Sequence, residues 1–339
     1  MAKTIDRISR PSIRVFKEYL YSNEPVIIEN LFIESKLSAI DSPQKLCDYL
    51  GEVRLEAVEE YSQRFSESGT FVQESHRWTV TEYLKYAEEN PSGLKCLREF
   101  DTPEQLTNLL EVPALCTFNN SVEVTSNFFL SRGGLNAHLH FDADYRNVLL
   151  YQGFGRKQAI LISPIDSQKL LPVLNQSWVR FEGMCAEELG NFLNYINAYE
   201  AILSPGDTLF FPAFMWHQFN YLDFGMSINL RFGRSNFSRF LARKFHCDEY
   251  IQRLGYYATS GKLSNSDLQS IGNSLNAARN APDLEPFDIY KNVSAKAMEM
   301  CLFYGQNNSH SCYLPYNGAI VEHYKSLKEL ASNSYTRSH

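Results

Sequence analysis

The sequence lacks the features that would place it in a membrane, in a secreted class or on nucleic acid. It contains no apolar run of about 18 residues, and its opening stretch MAKTIDRISR has no apolar segment that could act as a signal peptide. The seven cysteines are scattered and never spaced as C-x-x-C, which is typical of reduced thiols rather than of a disulfide framework. The formal net charge of −7 provides no global attraction for nucleic acid or an anionic membrane. We therefore expect a cytoplasmic protein without a membrane segment, for which nucleic acid is an unfavoured but not an excluded partner.

Two common catalytic motifs are also missing. No serine lies in a G-x-S-x-G nucleophile motif, and no phosphate-binding loop is present. The segment Gly153-Phe154-Gly155 lacks the third glycine and the following helix that a dinucleotide site needs. These absences argue against a serine hydrolase and against a nucleotide-binding enzyme.

What the sequence does contain is a large, aromatic, β-rich middle section. Aromatic residues make up 14% of the chain, a share typical of β-rich cores with wide pockets. Short aromatic or β-branched runs, separated by Gly, Pro and Asp, fill residues 113–235 and predict an antiparallel barrel or a double-sheet jelly roll. A polar, partly helical insertion is expected at 166–200. Residues 1–112 predict a mixed α/β region packed on the barrel, and residues 236–339 predict a helical region.

Titratable side chains alternate along the segment HLHFDADYRN, which begins at residue 138. They are His138, His140, Asp142 and Asp144. Side chains alternate faces in an extended segment, so all four are expected to point the same way. A solvated polar face on an edge strand is the alternative. A metal site would need a further ligand from elsewhere in the chain, and His217 has the most suggestive surroundings, because it follows an apolar strand and a tight turn.

Two histidines and one carboxylate form a facial triad for non-haem Fe(II), in which three coordination positions stay open. His140 and Asp142 supply the H-x-D spacing on one segment, and His217 supplies the distant histidine. An isolated H-x-D occurs often by chance. The assignment therefore depends on the motifs around it.

Those surrounding motifs resemble the JmjC oxygenases. HFDADYRNVLLYQGFGRKQAILISP, followed by PGDTLFFPAFMWHQF and SINLRF, is most similar to the small cupin-like hydroxylase branch of that family. The resemblance covers roughly residues 10–235. It implies a double-stranded β-helix, the jelly-roll barrel of cupins, with an N-terminal α/β wrap and helical flanks.

The resemblance also implies a set of functional residues. His140, Asp142 and His217 would bind Fe(II), and Lys157 would pair with the distal carboxylate of 2-oxoglutarate. Further residues that would line the co-substrate pocket are Asn147 and Asn229. The implied reaction uses O2, converts 2-oxoglutarate to succinate and CO2, and hydroxylates a substrate C–H bond.

The sequence departs from the family pattern at two points. The segment from His140 to Lys157 is one or two residues longer than usual, which leaves the register of Asn147 open. Ala137 occupies a position where some members carry a threonine that binds the co-substrate.

Two alternative site assignments stay open at this point. In the first, four ligands bind the metal as in ordinary cupins, namely His138, His140, Asp144 and His217. In the second, Arg231 replaces Lys157 as the partner of the co-substrate carboxylate. Otherwise His138 and Asp144 are expected to orient the ligands or to line the substrate rim.

The substrate is not specified by any motif. A protein or peptide side chain is the favoured interpretation, because the insertion at 166–200 and the loops near 60–75 could frame an extended groove. The alternatives are hydroxylation of a small molecule or a tRNA base, N-demethylation, and a non-catalytic metal-binding module.

The C-terminal region predicts a homodimer. Its helices each have one apolar stripe that must be buried, and together they expose more apolar surface than one barrel can cover. The alternative is that they wrap their own barrel. Candidate contacts are Leu268, Ile271, Leu275, Ile320, Tyr324 and Leu327.

Overall fold

A computed structural model describes residues 2–233 of the chain, apart from 60–75, 100, 118–123, 143–145 and seven positions in the insertion. Those seven are 171, 174, 175, 178, 180, 182 and 183. Several predictions lie outside the described residues. These are the helical region with its homodimer contacts, the loop at 60–75, Asp144, and the side chain of His138.

Two β-sheets dominate the described part of the chain. The first contains β1 (Lys3–Thr4), β8 (Asn136–His140), β10 (Lys157–Ile162), β11 (Pro172–Val173), β12 (Gln176–Ser177), β13 (Tyr199–Leu203) and β15 (Trp216–Tyr221). The second contains β2 (Asp6–Ser9), β3 (Val26–Glu29), β4 (Leu55–Glu59), β5 (His76–Trp78), β6 (Lys95–Glu99), β7 (Thr125–Ser131), β9 (Asn147–Phe154), β14 (Thr208–Phe211) and β16 (Gly225–Phe232).

From β7 to β16 the chain passes repeatedly from one sheet to the other. The seven-stranded sheet has the order β1-β13-β10-β15-β8-β12-β11, and the nine-stranded sheet has the order β2-β3-β14-β9-β16-β7-β6-β4-β5. Two pairings are parallel, β1 with β13 and β2 with β3, and each adds an N-terminal strand at a sheet edge. The mostly β architecture predicted from the sequence is thus confirmed for the described residues, and the two sheets fit a jelly roll.

The N-terminal region does more than pack against this barrel, because its strands extend the nine-stranded sheet at both edges. β2 and β3 continue the sheet beyond β14, while β6, β4 and β5 continue it beyond β7. Within the expected insertion at 166–200, the structure places most of a 3-10 helix (Pro164–Leu170), the β11–β12 hairpin and one α-helix. The last residues of that stretch already belong to β13.

Six α-helices lie among the described residues. They are α1 (Ile13–Ser22), α2 (Pro43–Leu50), α3 (Val80–Glu89), α4 (Glu104–Thr107), α5 (Ala114–Thr117) and α6 (Ala186–Tyr195), and a short 3-10 helix spans Lys36–Ala39. Local sequence explains where α2 and α3 begin. Ser42 caps α2 and is followed by proline, while Thr79 and Glu82 form a reciprocal capping box on α3. Among the described residues, none of these helices is long and apolar enough to cross a bilayer.

The central strands of the nine-stranded sheet, β14, β9 and β16, are buried on both faces. One face packs against the N-terminal helices in a core that includes Phe16, Tyr83 and Leu149. The opposite face packs against the other sheet in a smaller core that includes Leu150 and Leu161. Every residue of β9 is therefore buried. This explains why its middle residues, 148–151, form an apolar run rather than alternating with polar residues.

Replacing Gly155 by alanine is expected to destabilise the fold by about 2 kcal/mol or more. Gly155 follows β9 with a φ of +70°, and a Cβ there would lie 2.4 Å from the carbonyl oxygen of Phe224. The control is Gly190→Ala in α6, where nothing lies within 4 Å and φ is not positive. Alanine there should stabilise the protein by about 0.5–1 kcal/mol. Urea unfolding measures the free energy of unfolding of both variants and of the wild type. A Gly155→Ala variant as stable as the wild type would contradict the close packing at Gly155.

Candidate metal and co-substrate site

The structure brings three predicted ligands together at one end of the barrel. β8 and β15 are neighbours, and His140 lies directly opposite His217 in their register. The two imidazole rings are 4.4 Å apart between centroids. Asp142 follows β8, and its Oδ1 atom lies 3.9 Å from the Nε2 atom of each histidine. One ligand atom from each residue falls within 4.8 Å of the others.

Asp142 reaches this cluster from beyond the strand rather than along it. β8 ends at His140, and its pairing with β15 shifts register between His140 and Ala137. The segment expected to be extended from 138 is thus a strand only as far as His140, and residues 143–145 lie outside the described part of the chain. Between Ala137 and His140, β8 has one residue more than β15, as in a β-bulge, which changes the face on which the following side chains lie. It leaves Ala137 packed against the inner core, while His140 faces His217.

The hydrogen bonding of His217 suits a metal ligand. Its Nδ1 atom lies 3.0 Å from the backbone oxygen of Met215. Because a carbonyl oxygen can only accept, Nδ1 must carry the proton, and in the neutral ring Nε2 keeps its lone pair. That is the nitrogen that faces Asp142. A backbone acceptor of this kind fixes both the tautomer and the orientation of a metal-binding imidazole.

Asp142 is held as an ionised carboxylate. Burial raises the pKa of Asp142, but attraction to the Arg231 guanidinium, and to His217 and His140 when these rings are protonated, outweighs burial and lowers the pKa to about 2. Arg231 donates a hydrogen bond from Nη2 to Oδ1 at 3.0 Å. The other oxygen, Oδ2, is buried and has no hydrogen-bond partner among the described residues. An unpaired buried acceptor costs about 1–3 kcal/mol, a cost that a bound cation would offset.

These observations fit a divalent metal ion. The donor set consists of two imidazole nitrogens, one of them with a fixed tautomer, and one ionised carboxylate. Two histidines and one carboxylate with further open positions are typical of a non-haem Fe(II) centre.

Lys157 lies inside the barrel rather than on its surface. It begins β10 and is only 2% exposed. Its Nζ atom donates a hydrogen bond to Ser227 Oγ at 2.6 Å and lies 4.2 Å from the ring centroid of Tyr221. The preceding residue, Arg156, is exposed and pairs with Asp223 instead. The structure therefore distinguishes two adjacent basic residues that sequence composition alone does not.

One face of β16 connects Lys157 to the three-residue cluster. Ser227, Asn229 and Arg231 occupy alternate positions and so share a face of the strand. Ser227 contacts Lys157, and Arg231 contacts Asp142 four residues further on, about 13 Å along the strand. Asn229 lies between them, and its Oδ1 atom is buried without a hydrogen-bond partner among the described residues. Arg231 thus lies at the metal end of the row, whereas Lys157 lies at the other end.

Asn147 has a role that the sequence did not indicate. Its amide donates to the backbone oxygen of Gly233 and accepts from the backbone nitrogen of Ala213. These bonds tie the start of β9 to the end of β16 and to the loop before His217. One N–H and one lone pair of the amide are left for other partners.

Sequence reasoning missed Ser227 and Tyr221, which surround the ammonium group of Lys157, and the ion pair between Arg231 and Asp142. The alternation Ser-x-Asn-x-Arg in β16 was the available signal, since it places three polar residues on one face of an otherwise apolar strand.

The four-ligand alternative can be tested with one substitution. Asp144→Ala should keep most of the metal affinity of the wild type, because Asp142 already provides the carboxylate next to both histidines. Metal content of the purified variant, measured by elemental analysis, decides the point. Loss of metal in Asp144→Ala, together with its retention in Asp142→Ala, would favour the four-ligand site.

Comparison with known proteins gives the following matches. The family model for the cupin-like domain matches residues 12–238. Lysine-specific demethylase 8 of Danio rerio is 28% identical over 249 residues, which cover 67% of this chain and 58% of that protein. The tRNA wybutosine-synthesizing protein 5 of Danio rerio is 29% identical over 197 residues, covering 56% and 57% respectively. JmjC domain-containing protein D of Dictyostelium discoideum is 29% identical over 253 residues, covering 67% and 56%. The chain thus matches little more than half the length of each of these relatives.

Proposed function

Since the chain belongs to the cupin-like domain family of JmjC-type oxygenases, we propose that it is an Fe(II)- and 2-oxoglutarate-dependent oxygenase. Within that class, hydroxylation is the reaction that we favour. The main support is the convergence of His140, Asp142 and His217 at one end of a barrel that also buries Lys157. Neither a solvated edge strand nor a purely structural polar cluster needs both features.

His140, Asp142 and His217 would hold the iron. With 2-oxoglutarate and O2, the bound iron would supply the oxidation of a substrate C–H bond to C–OH, while the co-substrate is converted to succinate and CO2. The part played by the three residues is to present two nitrogen lone pairs and one ionised oxygen to a single point. The Met215 carbonyl holds the proton of the neutral His217 ring on Nδ1, so in that tautomer Nε2 presents its lone pair to the cluster.

Lys157 would bind the distal carboxylate of 2-oxoglutarate. A buried dianion needs a fixed cation and hydrogen-bond donors to offset its desolvation. Ser227 accepts from the ammonium group and thereby fixes its position, while Tyr221 offers its ring face. The β10–β15 register places Lys157 opposite Tyr221 and Leu161 opposite His217, about 13 Å apart along the strands. A lysine side chain and a short dicarboxylate lying end to end suit that separation.

Asn229 would contribute its amide to the same co-substrate pocket. It lies on the row between Lys157 and Arg231, is 6% exposed, and has an unpartnered buried oxygen within the described part of the chain. Asn147 would line the same pocket with the polar atoms of its amide that remain available beside its two backbone hydrogen bonds. The Asn229 amide can present either a donor or an acceptor to the ligand, whereas the Asn147 amide is fixed and offers its second N–H and its remaining lone pair.

Aromatic side chains would keep water away from the reacting groups. Phe211 and Phe219 flank the ring of His217 at 4.9 Å and 5.5 Å between centroids. Phe141 and Trp216 pack edge to face at 4.8 Å beside the two strands that hold the cluster. A dry, low-dielectric cavity strengthens the electrostatic interactions within it and prevents side reactions.

The favoured substrate is a protein or peptide side chain. The net charge of −7 disfavours RNA, while the names of the relatives, a lysine-specific demethylase and a tRNA wybutosine-synthesizing protein, give N-demethylation and tRNA modification as the alternatives. A small-molecule substrate or a non-catalytic metal-binding module completes the alternatives. The cytoplasmic location and the homodimer stay predictions.

Mass spectrometry distinguishes these substrate classes. The protein is incubated with Fe(II), 2-oxoglutarate and either a proteome-derived peptide pool, a methylated-lysine peptide pool or total tRNA. Hydroxylation adds one oxygen atom to a peptide, whereas demethylation removes a methyl group as formaldehyde. Oxygen gained by tRNA alone would replace the peptide proposal with the tRNA alternative.

A further inference from the structure

Arg231 belongs to the site but has no part in the functions assigned so far. Its guanidinium and the Asp142 carboxylate form an ion pair at 3.0 Å, with side chains that are only 18% and 12% exposed. The pair joins the two sheets, because Arg231 belongs to β16 and Asp142 follows β8. Guanidinium keeps its charge at any physiological pH, so this positive charge is a permanent feature of the site.

The arginine acts on the same oxygen atom that faces the histidines. Oδ1 of Asp142 accepts the bond from Arg231, and Oδ1 also lies 3.9 Å from both Nε2 atoms. Arg231 and a metal ion would therefore both draw on the charge of one carboxylate. That charge is already balanced by the guanidinium, and an imidazole adds no charge in the neutral form that binds a metal.

This charge count has opposite consequences for a cation and an anion. A divalent ion in the cluster leaves Arg231, Asp142 and the ion together with two excess positive charges, because Arg231 has already neutralised Asp142. Like charges repel strongly where water is largely excluded. A dianionic ligand next to the cluster is attracted by the same guanidinium and restores neutrality.

We propose that Arg231 is a positioning residue whose fixed charge weakens binding of the metal ion alone and strengthens binding of the dianionic co-substrate. The proposal rests on the proposed oxygenase function. It makes the metal loosely held in the absence of 2-oxoglutarate and assigns to Arg231 a role different from that of Lys157, which lies at the other end of the row on β16.

The competing explanation is that Arg231 only orients the carboxylate. Orientation depends on a hydrogen-bond donor, whereas the proposal depends on charge, and two substitutions separate them. Arg231→Gln removes the charge and keeps an amide donor. Arg231→Lys keeps the charge and loses the planar fork. Arg156→Gln is the matched control, because Arg156 also pairs with an aspartate but lies on the exposed surface.

The experiment measures the affinity for Mn(II), a redox-inactive stand-in for Fe(II), by titration calorimetry on the full chain. The affinity for 2-oxoglutarate is then measured on the Mn(II)-saturated protein. Arg231→Gln is expected to bind Mn(II) about tenfold more tightly than the wild type and 2-oxoglutarate about tenfold more weakly. Arg231→Lys and Arg156→Gln should stay within about threefold of the wild type in both titrations.

Weaker Mn(II) binding by Arg231→Gln would overturn the proposal in favour of orientation, and affinities unchanged within twofold would overturn it outright. If Arg231→Gln does not fold, as judged by circular dichroism, Arg231→Lys decides. A tenfold change in either affinity with the charge retained would contradict the proposal, and unchanged affinities would support it. Failure of the wild type to bind Mn(II) even with 2-oxoglutarate present would instead refute the proposed oxygenase, so the two failures are distinguishable.

Discussion

Asp142→Asn is expected to lose both metal retention and activity while keeping the fold. The substitution preserves the volume of the side chain and removes the only ionised ligand of the three-residue cluster. Outer-shell partners of metal ligands alone contribute about 10–100-fold to affinity or activity, so loss of a direct ligand should exceed about 100-fold. His140→Ala should have the same effect, because its imidazole provides one of the two nitrogen donors.

Metal content and activity are measured on the same preparations. Asp223→Asn is the matched control, since that carboxylate also pairs with an arginine but lies on the exposed surface away from the cluster. It should bind metal as the wild type does. A fully metal-loaded and active Asp142→Asn variant would contradict the ligand assignment.

Lys157→Gln is expected to raise the half-saturating concentration of 2-oxoglutarate by about tenfold to a hundredfold. Hydrogen bonds to charged groups contribute about 1.5–3 kcal/mol, and each 1.4 kcal/mol corresponds to about tenfold in affinity. Metal content should stay at the wild-type level, because Lys157 contacts Ser227 and Tyr221 rather than the ligand cluster. At saturating co-substrate the turnover rate should fall much less than the affinity.

Initial rates over a range of 2-oxoglutarate concentrations test this expectation. Arg156→Gln is the neighbouring control and should leave the half-saturating concentration unchanged, because its guanidinium pairs with Asp223 at the surface. An unchanged value in Lys157→Gln would mean that the distal carboxylate is bound by another residue.

Local sequence was sufficient to predict the barrel, whereas the residues that converge in it also required the family resemblance. Alternating and continuous apolar runs, with Gly, Pro and Asp between them, identify strands because the pleat and the burial of a sheet depend on neighbouring residues. The compound motif around His140 and His217 then placed the ligands, since the family resemblance supplied the partner that spacing alone could not.

The features that the sequence did not predict depend on pairing between distant strands. The register shift in β8 is visible only in its pairing with β15, where it places His140 opposite His217. Asp142 then reaches the same point from two residues beyond the end of the strand. The Arg231–Asp142 ion pair likewise crosses from one sheet to the other. The N-terminal strands join both edges of a sheet through non-local and partly parallel pairings, which no local pattern specifies.

The most direct test of the proposed function is the Fe(II)-dependent conversion of 2-oxoglutarate by the purified chain. Succinate and CO2 are quantified in air, with and without Fe(II), in the presence of the peptide and tRNA pools, and Asp142→Asn is run in parallel. The account predicts equal amounts of succinate and CO2 from the wild type, formed only with Fe(II), and none above background from Asp142→Asn. A wild-type protein that retains a full equivalent of iron yet forms no succinate with any of these substrates would contradict it.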